Sequence, residues 1–153
     1  MFEDIEIIHG LTDELICSIA EIEERCFSDP WSRQAFIEAS GKDDDYFFCV
    51  ALCGGKPVGF GCLNFVLDEA TVLNIATLSE YRRRGIGKRI LSELISEAEK
   101  RGVGVVMLEV RESNSAAIAL YSGFGFYTVG KRKNYYRKPV EDAVLMDKRL
   151  KTD

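Results

Sequence analysis

The chain has 153 residues, the size of one ordinary domain, and its 46% hydrophobic and 29% charged residues are the composition of a globular protein with its own core. Twenty basic against 25 acidic side chains leave a net charge of −5, which argues against a general binder of nucleic acid or membrane surfaces. The average hides a segregation, because residues 1–80 carry 4 basic and 16 acidic side chains whereas residues 81–153 carry 16 and 9. The second part is the one suited to meeting an anion.

No apolar run approaches the ~18–20 residues of a membrane span, and the longest, Tyr46 to Leu52, suits a buried strand. The opening Met1-Phe2-Glu3-Asp4 is acidic, so neither a secretory signal nor an Arg-rich transit peptide is expected. Five cysteines (Cys17, Cys26, Cys49, Cys53, Cys62), an odd number without a CxxC pair, read as reduced thiols of a cytoplasmic protein. His9 is the sole histidine, so no His-based triad and no metal site are expected. With no linker, low-complexity tract or repeat, residues 1–153 are expected to form a single domain.

In chain order, Glu3 to Ile8 reads as a short strand. Leu11, Leu15, Ile16, Ile19, Ile22, Cys26 and Phe27 recur at helical spacing behind Thr12 as N-cap. Asp29-Pro30-Trp31-Ser32 predicts a cap with proline in the first helical position, opening a second helix that stops at Ser40-Gly41. Tyr46–Cys53 and Val58–Val66 are strands joined by the turn signal Gly54-Gly55-Lys56-Pro57, and Ala70–Leu78 is the next strand. Gly85 to Arg101 is a long amphipathic helix closed by Gly102. Val103–Val110 is a nearly continuous apolar run, expected to be a strand buried on both faces and parallel to the 70–78 strand. Ser113 or Asn114 caps a helix to about Gly123, and strands near Tyr127–Lys133 and Ala143–Arg149 close the chain. The order is that of a mixed-sheet α/β protein with a βαβ crossover over residues 70–110.

The strongest local signal is Tyr81-Arg82-Arg83-Arg84-Gly85-Ile86-Gly87-Lys88-Arg89, between a strand and a helix. Two glycines let a ligand approach the backbone, the first helical turn presents unpaired N–H groups, and the helix dipole and basic side chains favour an anion. A Walker loop would need glycine at Arg82 and Ser/Thr at Arg89, and the third glycine of a dinucleotide fingerprint would fall at Ile90. By itself the cluster also fits a solvated basic helix start.

Arg82-x-x-Gly85-x-Gly87 resembles the pyrophosphate motif of the GCN5-related N-acetyltransferase (GNAT) superfamily, which binds acetyl-coenzyme A. Within it, Leu67-Asp68-Glu69-Ala70-Thr71, Asn74-Ile75-Ala76, Leu108-Glu109-Val110-Arg111-x-Ser113-Asn114, Ala116-Ala117-Ile118-Ala119-Leu120-Tyr121, Phe124-Gly125-Phe126, Asn134-Tyr135-Tyr136 and Glu141-Asp142-Ala143 resemble the RimI subfamily of ribosomal-protein alanine N-acetyltransferases, in the family's order over roughly residues 25–148. The resemblance implies a mixed, mostly antiparallel sheet with helices on both faces, whose fourth and fifth strands run parallel and splay apart. It implies that the pantetheine arm lies in that gap against Ile75, Ala76 and Thr77. Arg83, Arg84, Gly85, Ile86, Gly87 and Lys88 would hold the pyrophosphate, and Asn114 would contact the pantetheine or thioester end. Glu109 would be the general base and Tyr121 the general acid, while Trp31, Asn134 and Tyr135 would form the lips of a groove for an N-terminal peptide. The implied partners are acetyl-coenzyme A and a ribosomal protein (S18-alanine type), with no direct nucleic acid and no membrane. Ser122-Gly123-Phe124-Gly125 and Thr77 depart from the family's usual residues, which bears on peptide preference.

Spacing supports part of this independently. Asn114 and Tyr121 lie seven residues apart on one helix, a rotation of about 700° that puts both on nearly the same face. Glu109 interrupts an apolar strand, which costs stability unless the carboxylate is paired or used. As alternatives, Glu109 pairs with Arg111 or the basic residues 131–133, and Tyr121 packs in the core with Phe124 and Phe126. Trp31 fits equally as a staple of the second helix, Tyr135-Tyr136 as plain strand residues, and the acidic residues as a solvated face. The chemistry asks for little: an N-terminal amine, with pKa about 7.7–8, is partly neutral near pH 7, so a carboxylate acting through water suffices as base. A phenol can protonate the departing thiolate, and a backbone N–H near Ala76 or Thr77 can stabilise the oxyanion. Cys49, Cys53 and Cys62 read as core residues. A lysine or small-amine acetyltransferase, or a non-catalytic acyl-coenzyme A-binding module, shares the cofactor half of the pattern.

Overall fold

The computed structural model describes residues 4–150. Seven strands form one sheet: β1 (Ile5–His9), β2 (Tyr46–Cys53), β3 (Lys56–Val66), β4 (Glu69–Thr77), β5 (Val105–Arg111), β6 (Tyr127–Tyr136) and β7 (Glu141–Arg149). Their spatial order is β1-β2-β3-β4-β5-β7-β6. Every pairing is antiparallel except β4 with β5, which are joined by the crossover helix α3 (Ile86–Lys100).

Helices cover both faces. On one, α3 lays Ile86, Ile90, Leu91, Leu94, Ile95 and Ala98 against the core under β2–β4. Each large aliphatic side chain so buried contributes roughly 1.5–3 kcal/mol. The approach is close: a Cβ on Gly61 would lie 2.5 Å from Ile90 Cγ2, and one on Gly59 would lie 2.7 Å from the Ala76 carbonyl oxygen. On the other face, α1 (Asp13–Cys26) and α2 (Arg33–Ser40) bury Ile16, Ile19, Ile22, Phe36 and Ala39 against Phe48, Val50, Phe60 and Ala76. α4 (Ser115–Gly123) follows β5.

The chain begins α1 where expected, with the Thr12 hydroxyl accepting from the Leu15 N–H at 3.2 Å. α2 differs. It starts at Arg33, and its N-cap is Ser32, whose hydroxyl accepts from the Ala35 N–H at 3.1 Å. Pro30 therefore lies ahead of the helix, because the Trp31 N–H is drawn away to a side chain of α1. β5 also departs from expectation: Val106, Leu108 and Val110 are buried, whereas Val105, Met107, Glu109 and Arg111 are half-buried. The reason is coverage, since α1 packs over β3 and β4 rather than over β5. Of the opening strand, Glu3 lies outside the described residues.

Candidate active site

β4 and β5 pair only from Glu69↔Val105 to Val72↔Leu108. Beyond that rung both strands continue apart, β4 to Thr77 and β5 to Arg111. The cause is in β4. Against β3 its register jumps from Val72 to Asn74, leaving Leu73 without an opposite residue. A bulge of this kind bends a strand and re-aims its side chains. Ala70 and Val72 sit in the core under α3; past the bulge, Ala76 sits in the α1–α2 core and Asn74 reaches α1.

The gap opens into a cavity of about 830 Å³. Glu109 and Arg111 line it from β5, Asn114 and Tyr121 from α4, and Leu73, Asn74 and Ile75 from β4. Trp31 and the segment after α1 close one side, and Tyr135, Tyr136 and the β6–β7 loop the other. The sequence-predicted residues Glu109, Tyr121, Asn114, Ile75, Trp31 and Tyr135 thus share one cavity. Asn134 does not line it. Its side chain is exposed and its N–H donates to Asp142 at 2.9 Å.

Asn114 is the N-cap of α4, its Oδ1 accepting from the Ala117 N–H at 3.1 Å, so its amide nitrogen is the end left for a ligand. Tyr121 is 8% exposed, its ring meets Phe126 edge-on at 5.8 Å, and burial pushes its phenol up to about 12. It is thus both a core aromatic and a cavity residue, and the phenol is a proton donor at any ordinary pH. Glu109 is not paired with Arg111, whose guanidinium is taken by Glu141 at 3.2 Å. Instead the Glu109 carboxylate lies beside the Tyr135 hydroxyl and raises the Tyr135 phenol above its usual value. Burial, reinforced by the Glu109 charge, holds Tyr136 at about 12.

Two residues of the site have no counterpart in the expected set. Glu23 of α1 is 2% exposed, and its carboxylate accepts from the Trp31 N–H at 2.9 Å and from Asn74 Nδ2 at 2.8 Å. Burial raises its pKa against the pull of those two bonds. The sequence did contain a signal, because Glu23 stands at i+4 and i+7 from Ile19 and Ile16, on the stripe that faces the core. Arg111 is the other; the sequence placed it in a motif and offered it only as an alternative partner of Glu109, which the Glu141 ion pair replaces.

The anion-binding loop is continuous with the open part of β4. Arg83 has φ +65° and Gly85 has φ +76°, so left-handed residues alternate ahead of the α3 N-terminus, which no side chain caps. Alternation of this kind turns successive N–H groups into one concavity, and the free first turn of the helix adds to it. Arg83 and Lys88 are exposed and have no ion pair among the described residues. Arg84 lies over the Tyr81 ring at 5.1 Å and donates to the Glu80 carbonyl. Arg82 folds back, its Nε donating to the Thr77 carbonyl at 3.1 Å, which also receives the Cys26 thiol at 3.6 Å. Of the expected strand contacts, then, the Thr77 carbonyl is already engaged, whereas the β5-side edge at Ile75 and Ala76 has no strand partner. A phosphate-bearing ligand with an extended, amide-containing arm fits this combination.

Three of the cysteines are core residues, as expected. Cys49, Cys53 and Cys62 are buried, and burial pushes the Cys49 thiol up to about 12 and the Cys62 thiol well above its usual value.

The profile of the Acetyltransferase (GNAT) family matches residues 16–126. The chain belongs to that family. A GNAT relative from Escherichia coli strain K12, "[Ribosomal protein bS18]-alanine N-acetyltransferase", is 45% identical over 127 residues, covering 82% of this chain and 84% of the relative. The protein of the same description from Haemophilus influenzae is 42% identical over 82% of this chain and 86% of its own length. Among solved GNAT structures, that of the ribosomal-protein-S18-alanine N-acetyltransferase from Escherichia coli superposes with a TM-score of 0.89 at 38% identity, covering 98% of this chain and 96% of the other. No described helix is long and apolar enough to cross a membrane.

Proposed function

We propose that this GNAT chain is an acetyl-coenzyme A-dependent N-alpha-acetyltransferase of RimI type. It transfers acetyl directly to the N-terminal alanine of a small-subunit ribosomal protein, bS18, in the cytoplasm, and residues 1–153 act as one domain. The observation that carries the reading is the splayed β4–β5 cavity with Glu109, Tyr121 and Asn114 on its walls. The 41–45% identity of bS18-alanine acetyltransferases from several bacteria supports the choice of acceptor.

Arg83, Arg84, Gly85, Ile86, Gly87 and Lys88 hold the pyrophosphate through backbone N–H groups and charge. The free edge of β4 at Ile75, Ala76 and the Thr77 N–H takes the pantetheine arm as though it were a strand, and Asn114 Nδ2 contacts its thioester end. Trp31 and Tyr135 line the acceptor side, with Asn134 shaping the β6–β7 end from outside the cavity. The acceptor's α-amine attacks the thioester carbonyl. Glu109, through a water, receives the proton that the amine loses on forming the amide bond. A backbone N–H at Ala76 or Thr77 faces the oxyanion. As the C–S bond breaks, Tyr121 gives its proton to the thiolate, for which its persistent protonation suits it. No acyl-enzyme is needed.

The test is thiol release from acetyl-coenzyme A with three acceptors: a basic Ala-start peptide, the same peptide N-terminally blocked but carrying lysine, and spermidine. Release with the free peptide alone is expected. Release with the blocked peptide or spermidine instead would make the chain a side-chain or small-amine acetyltransferase, and tight cofactor binding with no release would favour a binding module.

A further inference from the structure

We propose that Arg111 is a positioning residue that clasps together the two loops forming the acceptor mouth, and thereby sets affinity for the peptide and not for the cofactor. Arg111 is the last residue of β5, where the strand has already parted from β4. Its guanidinium makes contacts in three directions. Nη1 donates to the Pro139 carbonyl at 3.0 Å and to Glu141 at 3.2 Å, and Nη2 donates to the Arg137 carbonyl at 3.0 Å. Nη2 also reaches across to the Ser28 hydroxyl at 3.2 Å, on the segment that follows α1. The plane stacks on the Tyr136 ring at 4.5 Å.

Arg137, Pro139, Tyr136 and Ser28 all line the cavity, so one side chain fixes both of its substrate-side walls relative to β5. The choice of arginine follows from the partners: two carbonyls, a carboxylate, a hydroxyl and an aromatic face need a planar group with at least four donors, which an ammonium with three cannot supply. Glu141 extends the clasp, because its other oxygen accepts the Ser113 N–H, just ahead of Asn114 and α4. None of these contacts touches the Arg83–Lys88 loop.

The inference rests on the proposed peptide acetyltransferase reading, which wild-type turnover of an Ala-start peptide tests by itself. The experiment compares wild type, Arg111→Lys and Ser28→Ala for the KM of peptide and of acetyl-coenzyme A, for Tm, and for amide hydrogen exchange over residues 137–140. Peptide KM should rise roughly tenfold or more in Arg111→Lys and about threefold in Ser28→Ala, with the acetyl-coenzyme A KM within about twofold of wild type. Exchange over residues 137–140 should quicken in Arg111→Lys. Unchanged peptide KM and unchanged exchange would overturn the proposal. So would both KM values rising together with a falling Tm, the signature of a merely structural loss. Should wild type acetylate no peptide, the functional reading fails, and the exchange measurement alone decides the clasp.

Discussion

The Glu109 carboxylate lies beside the Tyr135 phenol and holds it above its usual pKa, and both side chains line the cavity. Tyr135 comes from the end of β6 and Glu109 is the first residue of β5 beyond its last rung with β4, so the contact joins the β6 wall to the proposed general base. That placement explains how a carboxylate can sit in an otherwise apolar strand: it is half-buried and faces the opening rather than the core.

Replacing Glu109 by Gln removes the proposed proton acceptor while keeping size and polarity. Its kcat is expected to fall by about 10²–10⁴ with little change in acetyl-coenzyme A KM. Tyr135→Phe removes only the hydroxyl beside Glu109, and a smaller loss, roughly tenfold, is expected. Steady-state kinetics on both variants check the order.

Alkaline pH should weaken the fold through buried weak acids. Tyr121 and Tyr136 rise from 10 to about 12, and Cys49 from 9 to about 12. These groups lose their protons first in the unfolded chain, so their contribution is complete below pH 9 and is lost as pH climbs towards 12. For Tyr121 alone the difference amounts to about 2–3 kcal/mol. Urea midpoints between pH 8 and pH 11.5 should therefore fall steadily, and Tyr121→Phe should flatten the part above pH 10 while lowering kcat.

Glu23→Ala strands the Trp31 N–H and the Asn74 amide in a buried place. A loss of about 2–4 kcal/mol is expected, since each orphaned donor costs roughly 1–3 kcal/mol. Chemical denaturation measures it. Because both partners line the cavity, peptide KM should rise in the same variant.

Gly85→Ala puts a Cβ on a residue at φ +76°. Nothing lies within 4 Å of that Cβ, so the cost is conformational, about 1 kcal/mol, and not steric. The expected outcome is a slightly lower Tm with a clearly higher acetyl-coenzyme A KM, as the left-handed turn that aims the α3 N-terminus relaxes.

The periodicities that made the element order legible were strong ones. The stripe of α3, the apolar β2 and the Gly54-Gly55 turn each specify their element locally, and the acidic-to-basic change along the chain pointed to the helix start at Gly85. Helical spacing put Asn114 and Tyr121 on nearly one face, but only the family resemblance singled them out as site residues. The position of the splay was not legible, because a bulge at Leu73 leaves no local mark beyond the polar Asn74 in an apolar strand. Pro30 misled for a related reason: its helix-opening preference is overridden by a tertiary bond from the Trp31 N–H to Glu23. The Glu23–Asn74 bond spans 51 residues and the Arg111 hydrogen bonds span 26 to 83, distances at which side-chain pairing has no periodic signature. The half-buried face of β5 was hidden by the same limit, since a run of apolar residues does not reveal how far a helix on the other side of the sheet extends.

The most direct measurement is fragmentation mass spectrometry of one peptide that begins with alanine and carries internal lysines, after incubation with the chain and acetyl-coenzyme A. A single acetyl group on the α-amine of the alanine, and none on any lysine, is the expected result. Acetyl on lysine with a free N-terminus would contradict it.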